Sequence, residues 1–372
     1  MKIHLLVSSL GPGGAERVAT GLCNEWAAAG HEVTLVPTYS KYDGSSFYAI
    51  SPKVRLASLS QSVSDGSISR LLPMALRRLL ALRKTMQVDR PDVVISFLPN
   101  VNVAALIASA FMPMPCVIGE RSDPSLMPTG ATWRIACWLL YRFADTLTVQ
   151  TEAVARKMPR IYSGIRRVDV VPNPLPAGLL DFECAYGREA DRRILLSLGR
   201  LSEEKRVNQI INAFARLARK HPNWDLHIYG EGPLDRPLAE QIAALGLGER
   251  VLLKGPTRAP WQVMAQSDAF VMNSRFEGFP NALLEAMGVG LPCLAADCPS
   301  GPREISRDGQ DACLFAPGDL DGLLAQLDAL MSDAANRQRL GQQARASVSE
   351  RYSRVSVMAR WNALLASVMA KR

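Results

Sequence analysis

The sequence predicts an α/β protein built from two doubly wound domains. Short apolar, β-branched runs of four to eight residues alternate with longer helical patterns along the 372-residue chain, as expected of parallel strands buried on both faces. The runs fall into two series, and two series imply two sheets. Between them stands Val170-Val171-Pro172-Asn173-Pro174-Leu175-Pro176, where three prolines within five residues remove donors and forbid helix.

In the first series the expected strands are Ile3–Ser8, Val33–Pro37, Val54–Leu59, Asp92–Phe97, Cys116–Ile118, Thr146–Gln150 and Val168–Val171. In the second they are Ile194–Leu198, Asp225–Tyr229, Val251–Lys254, Ala269–Met272, Cys293–Ala296 and Cys313–Phe315. These spans assign residues 1–175 to a first domain and 176–350 to a second, while 351–372, helical in pattern, is expected to cross back to the first.

Composition narrows the class. Hydrophobic residues make up 48% and charged residues 21%, with no long polar tract, which fits a soluble globular chain and not a disordered or fibrous one. No apolar run reaches the roughly 18 residues of a membrane span. Met1 to Val7 carries one basic residue and gives way to Gly11, so it reads as a first strand, not a signal peptide. Seven scattered cysteines read as buried thiols in a reducing cytoplasm. Cys293 and Cys298 are too isolated for a zinc site, and the four histidines add no ligand cluster. The net charge of +8 admits a nucleotide, a phospholipid surface or nucleic acid as partner.

Open α/β sheets bind ligands at the carboxyl ends of their strands, so the chemistry is sought just after each strand, in a cleft expected between two facing domains. After the first strand, Gly11-Pro12-Gly13-Gly14 leads into a helix near Arg17–Ala29. Such glycines let backbone approach an anion at a helix amino end; a tight strand–helix turn is the other reading. Gly199-Arg200-Leu201-Ser202-Glu203-Glu204-Lys205-Arg206 places a guanidinium fork and a point charge where a pyrophosphate would fit; a solvated charge run is the alternative. The richest stretch runs from Asn273 to Pro292, with Glu277 in a loop and Glu285 on the inward face of the following helix. Two carboxylates so displaced can each accept from a different part of one hydroxyl-rich ligand.

These motifs, "SRFEGFPNALLEAMGVGLP" with its E-x7-E pair, "GRLSEEKR", "GEGP" at Gly230–Pro233 and "GPGGAERV", together resemble the retaining nucleotide-sugar glycosyltransferases of the GT-B fold, family 4. The likeness covers nearly the whole chain in order. "GGAERV" and "CPSGPREI" are closest in flavour to bacterial N-acetylgalactosaminyl and hexosyl transferases of lipid-linked oligosaccharide and polysaccharide assembly. The resemblance implies two Rossmann-like domains facing across a cleft, acceptor-side first and nucleotide-sugar-binding second. It gives Arg200 and Lys205 to the donor diphosphate, Glu277 to the donor sugar and Glu285 to the ribose. Gly13 and Gly14 then lie near the donor phosphates and the acceptor. Phe279, Pro280 and Asn281 present backbone groups, and Gly230, Gly232 and Pro256 flank the nucleoside.

One departure stands out. Many relatives carry a histidine after the fourth strand, where this chain has Ser96-Phe97-Leu98-Pro99-Asn100. Asn100, or Arg121 and Asp123 after the next strand, is expected to take its place. The resemblance further implies retention, with the departing diphosphate oxygen taking the acceptor proton, and no divalent metal or other cofactor, since fixed cations and helix amino ends supply the charge.

Between Ser69 and Arg90 a basic stripe recurs at Arg70, Arg77 and Lys84, opposite an apolar stripe of Leu71, Ala75, Leu79, Leu82 and Met86. Successive charges stand about 10 Å apart. With Arg156, Lys157, Arg160, Arg166 and Arg167 it suits anionic lipid or an acceptor diphosphate, and places a cytoplasmic enzyme on the inner face of the cell membrane. An ordinary packed helix is the other reading. A sugar-nucleotide-binding protein without catalysis and a UDP-sugar epimerase on the same scaffold remain alternatives to a transferase. No aromatic-interleaved basic motif points to nucleic acid.

Overall fold

The computed structural model describes residues 1–11, 13–39, 46–59, 72–126, 130–186 and 191–370. The chain divides into two compact units, Met1–Pro174 with Val355–Arg372, and Leu175–Arg354.

Unit 1 runs β1 (Lys2–Val7), α1 (Gly14–Ala28), β2 (Glu32–Pro37), β3 (Arg55–Leu56), α2 (Met74–Asp89), β4 (Val93–Phe97), α3 (Pro99–Ser109), β5 (Cys116–Gly119), α4 (Ala131–Leu140), β6 (Thr146–Val149), α5 (Glu152–Ala155), α6 (Met158–Ile161) and β7 (Val168–Val170). All pairings are parallel, in the order β3-β2-β1-β4-β5-β6-β7. The apolar runs are continuous because helices cover both faces: α2, α3 and the end of α4 close one face, α1 the other. The strand expected over Val54–Leu59 shortens to Arg55–Leu56, an edge strand that pairs only with β2.

Unit 2 runs β8 (Arg193–Leu198), α7 (Val207–Leu217), β9 (Trp224–Tyr229), α8 (Asp235–Ala244), β10 (Val251–Gly255), α9 (Pro260–Ala265), β11 (Ala269–Met272), α10 (Asn281–Val289), β12 (Cys293–Ala296), α11 (Pro302–Ile305), β13 (Cys313–Phe315), α12 (Leu320–Ser332) and α13 (Ala334–Tyr352). Its sheet is again parallel, ordered β10-β9-β8-β11-β12-β13. Helices α7, α8 and α12 bury one face and α9, α10 and α13 the other.

The last helix, α14 (Arg354–Met369), returns to unit 1. Its Trp361 is fully buried, edge-on to Trp26 at 5.8 Å and tilted against Phe97 at 6.1 Å. Trp26 Nε1 donates to Asn362 Oδ1 at 3.2 Å. In both sheets the strand order reverses beside the first strand of the series, between β1 and β4 and between β8 and β11, and ligands of open α/β sheets bind outside such reversals.

Candidate active site

In unit 2 the loops after β8 and β11 meet at the reversal point. Lys205 ends a single 3-10 turn, Glu203–Lys205, before α7, and its Nζ donates to Glu277 Oε1 at 2.6 Å. Ser274 Oγ donates to the same oxygen at 2.6 Å, and Ser300 Oγ to the Glu277 carbonyl. The backbone joins the loops as well, Arg275 N donating to Glu204 O at 2.7 Å. The separation between Lys205 and Glu277 in sequence is bridged by the reversal itself. Arg200, in the same loop after β8, is exposed and forms no ion pair among the described residues. Below lies Cys298, whose thiol burial, aided by the negative field of Glu277, pushes up to about 12; it is inert at neutral pH.

Phe279 and Pro280 are buried and Asn281 opens α10 half-buried, with no side chain capping that helix. An uncapped amino end leaves first-turn N–H groups for an anion. Glu285, one turn on, is 4% exposed and accepts from Trp261 Nε1 of α9 at 2.9 Å. The sequence reading missed this Trp261; nothing in the sequence links α9 to α10 before the fold is known.

The glycines of the second loop are steric necessities. A Cβ on Gly230, at φ +147, would stand 1.8 Å from the Gly199 carbonyl oxygen, and one on Gly232 would stand 2.3 Å from that of Leu201. Gly199 N donates to Tyr229 O and Gly230 N to Gly255 O, stacking three strand ends. Pro256 follows, exposed.

Unit 1 has its own strand-end cluster. Gly13 caps α1, and a Cβ there would fall 1.9 Å from Glu16 Oε2. Glu16 folds back over the helix amino end, accepting from Ser8 Oγ at 3.0 Å and Ser9 Oγ at 3.3 Å. The loop thus carries its own carboxylate next to Gly13 and Gly14, a feature the sequence reading overlooked. After β4, Leu98 takes φ +80, a strained backbone for a branched residue, and Asn100 lies in the first turn of α3, its carbonyl accepting from Tyr39.

Arg121 and Asp123, expected after β5, are both buried in unit 1. Asp123 is 1% exposed, and its carboxylate is held by Lys157 Nζ at 2.6 Å and by Ser125. Burial would raise its pKa, but these partners hold it below the usual carboxylate range. The Arg121 guanidinium lies buried over the Phe97 ring, 3.5 Å from its centroid, and burial lowers its pKa to about 9. Its Nη1 reaches Asn173 Oδ1 at 3.5 Å. Asp123 is fully partnered there, whereas Arg121 Nε and Nη2 are buried without a hydrogen-bond partner among the described residues. Beside them runs a buried polar chain unseen in the sequence: Ser96 Oγ donates to Asn102 Oδ1 at 2.8 Å, Asn102 Nδ2 to Tyr141 Oη at 3.0 Å, and Tyr141 to Glu120.

The basic helix is α2. Leu82 and Met86 are buried and Leu79 half-buried as expected, but Ala75 is exposed, because α2 starts at Met74 and its first turn lies clear of the core. Lys84 is exposed, whereas Arg77 is half-buried and so not on a fully solvated stripe. Arg70 and Leu71 lie outside the described residues.

Two family models match in tandem: the glycosyl transferase 4-like domain over residues 13–174 and glycosyl transferases group 1 over residues 184–347. This chain belongs to the glycosyltransferases. It is 26% identical over 346 residues to an undecaprenol-linked α-1,4-N-acetyl-D-galactosaminyltransferase of Campylobacter jejuni, covering 91% of each chain. It is also 26% identical over 370 residues to the amylovoran biosynthesis glycosyltransferase AmsD of Erwinia amylovora, covering 98% of this chain and 99% of that one. The fold is that of the GT-B glycosyltransferases. The Anabaena protein HepE in complex with UDP and glucose matches with a TM-score of 0.79 at 21% identity, over 99% of this chain and all of that one. In this glycosyltransferase the Lys205–Glu277 contact, Arg200 and the amino end of α10 converge on one strand-order reversal.

Proposed function

We propose that the chain moves a hexose or N-acetylhexosamine from a nucleotide diphosphate sugar, with UDP as carrier, to a hydroxyl of a lipid-linked acceptor of the undecaprenyl diphosphate kind or of another glycan. Configuration is retained, no divalent ion takes part, and the protein works on the inner face of the membrane in surface glycan assembly. The observation that carries the reading is the 2.6 Å contact of Lys205 with Glu277 across the β8–β11 reversal, at the loop that also holds exposed Arg200. The relatives' names, a galactosaminyltransferase acting on an undecaprenol-linked glycan and an amylovoran biosynthesis glycosyltransferase, support the acceptor class.

The chemistry follows from charge. Breaking the glycosyl–phosphate bond leaves negative charge on the diphosphate and positive charge on the sugar. Arg200 and Lys205 offer fixed donors to the first, and the uncapped end of α10 adds backbone N–H groups without reorganisation. Glu277, steadied by Ser274, sets its carboxylate beside the electron-poor sugar. Glu285 accepts from the ribose hydroxyls. The departing oxygen takes the acceptor proton on the same face, so no separate base is required.

A panel of nucleotide sugars read by nucleotide release identifies the donor, and radiolabel passing into a butanol-extractable product separates an enzyme from a binding protein. Glu277→Ala is expected to abolish transfer while nucleotide binding persists; unchanged turnover overturns its role. A β-linked product from an α-configured donor overturns retention, and loss of activity on chelation overturns metal independence.

A further inference from the structure

We propose that α4 is an interfacial anchor that seats the protein on an anionic bilayer, with its tryptophans inserted at the headgroup level. The helix reads Ala-Thr-Trp-Arg-Ile-Ala-Cys-Trp-Leu-Leu. A helix of this composition packed in a soluble core would bury its apolar stripe. Here only Cys137 is buried. Trp133, Trp138 and Leu139 are 40%, 45% and 47% exposed, and Ile135 and Phe143 are 60% exposed. Five large apolar side chains on fourteen residues amount to a concentration that monomeric surfaces rarely carry without a partner.

Charge identifies the partner. Helix α3 packs between α2 and α4 on one face of the sheet, and no charged residue occurs from Val93 to Gly119. Gly130–Phe143 holds Arg134 and Arg142 and no acid. In α2 the acid is the terminal Asp89, already paired with Arg55 and His4. The surface of these three helices is therefore apolar and cationic. Arg142 lies 5.4 Å from the centroid of the Trp138 ring, while Arg134 and Lys84 are exposed. Exposed indole rings with a guanidinium over one of them suit the boundary between acyl chains and acidic headgroups. A second copy fits less well: a two-fold interface sets the same basic residues against themselves.

This inference rests on the membrane-surface part of the reading above and not on its chemistry. Flotation of the full chain with phosphatidylcholine vesicles, with or without a quarter phosphatidylglycerol, tests it. Wild type is expected to float with the anionic vesicles and much less with the neutral ones. The double variant Trp133→Ser/Trp138→Ser is expected to lose about tenfold in partitioning, since binding scales with the apolar area inserted. Leu139→Asp is expected to do the same, with nucleotide release to a soluble acceptor unchanged in both. Vesicles with brominated acyl chains should quench wild-type tryptophan fluorescence and spare the double variant. Failure of wild type to float overturns the membrane reading and this inference together, leaving the transferase reading intact. Equal flotation of wild type and both variants overturns the role of α4 alone. A wild-type dimer that the variants turn into monomers, without change in flotation, assigns the surface to a second copy and also overturns it.

Discussion

Lys205 is 26% exposed and Glu277 12%, so the pair is mostly sheltered from water, with Ser274 sharing the carboxylate. In the proposed mechanism it holds a cation still where charge develops. Lys205→Ala is therefore expected to lower kcat/KM by about 10²–10³-fold, the usual loss for one preorganised donor, and to lower the melting temperature as well, since Glu277 loses its cation; nucleotide-release kinetics and a thermal melt decide. Glu120 presents the opposite case. Burial raises its pKa to about 7, against the lowering effects of Tyr141 and Arg121. The native state then keeps a proton that the unfolded chain gives up, so stability falls as pH climbs from the usual glutamate range to about 7 and levels off above it. Glu120→Gln keeps an acceptor for Tyr141 and loses the titration. In urea melts the variant should gain on wild type at pH 8 and not at pH 5; an equal difference at both values would remove Glu120 as the cause. Arg121 beside it could be singled out from the sequence, but its partners Tyr141 and Asn102 could not. Asn102 and Tyr141 lie 39 positions apart, and only the packing of α3 against the end of α4 brings them together.

Elements were more legible than contacts. Every strand expected from an apolar run has a counterpart, because a strand buried on two faces by helices must be apolar throughout. The exceptions are local. Among the described residues β3 keeps only Arg55–Leu56 in register with β2, and the first turn of α2 leaves Ala75 in solvent because periodicity says nothing about where a helix meets the core. In the site, the spacing of Glu277 and Glu285 singled out the two carboxylates, while Gly230 and Gly232 came only with the family resemblance. The partners of those glutamates, Trp261 and Ser274, could not, nor could the way Glu16 folds onto Gly13, since each depends on a loop conformation. The stacked loops after β8, β9 and β10 carry a prediction at this scale. In Gly230→Ala the added methyl would meet backbone, not a flexible side chain, at a positive φ. The loops must part, at a cost of about 1–3 kcal/mol by analogy with overpacked cores, and UDP affinity should fall with them. Calorimetric titration with UDP beside a denaturant melt checks this; a variant with wild-type stability and affinity would show that the loops are free to separate.

At the scale of the whole molecule the chain leaves unit 1 at Pro174 and re-enters it at Val355, so unit 1 is completed by its last helix. Trp361 fills the space between Trp26 and Phe97, and Val357, Leu364, Leu365 and Val368 join the same cluster. Removing so large a buried ring alone typically costs 3–5 kcal/mol, a large part of the roughly 5–15 kcal/mol that holds a domain folded. Trp361→Ala should therefore unfold unit 1 at lower denaturant than unit 2, whose core clusters contain no residue of α14. Hydrogen exchange read by mass spectrometry separates the two. Amides of β1 and β4 are expected to lose protection while those of β8 and β11 keep theirs. Parallel loss in both sheets would mean that the units unfold as one cooperative block, and α14 would then be a link between them and not a part of unit 1 alone.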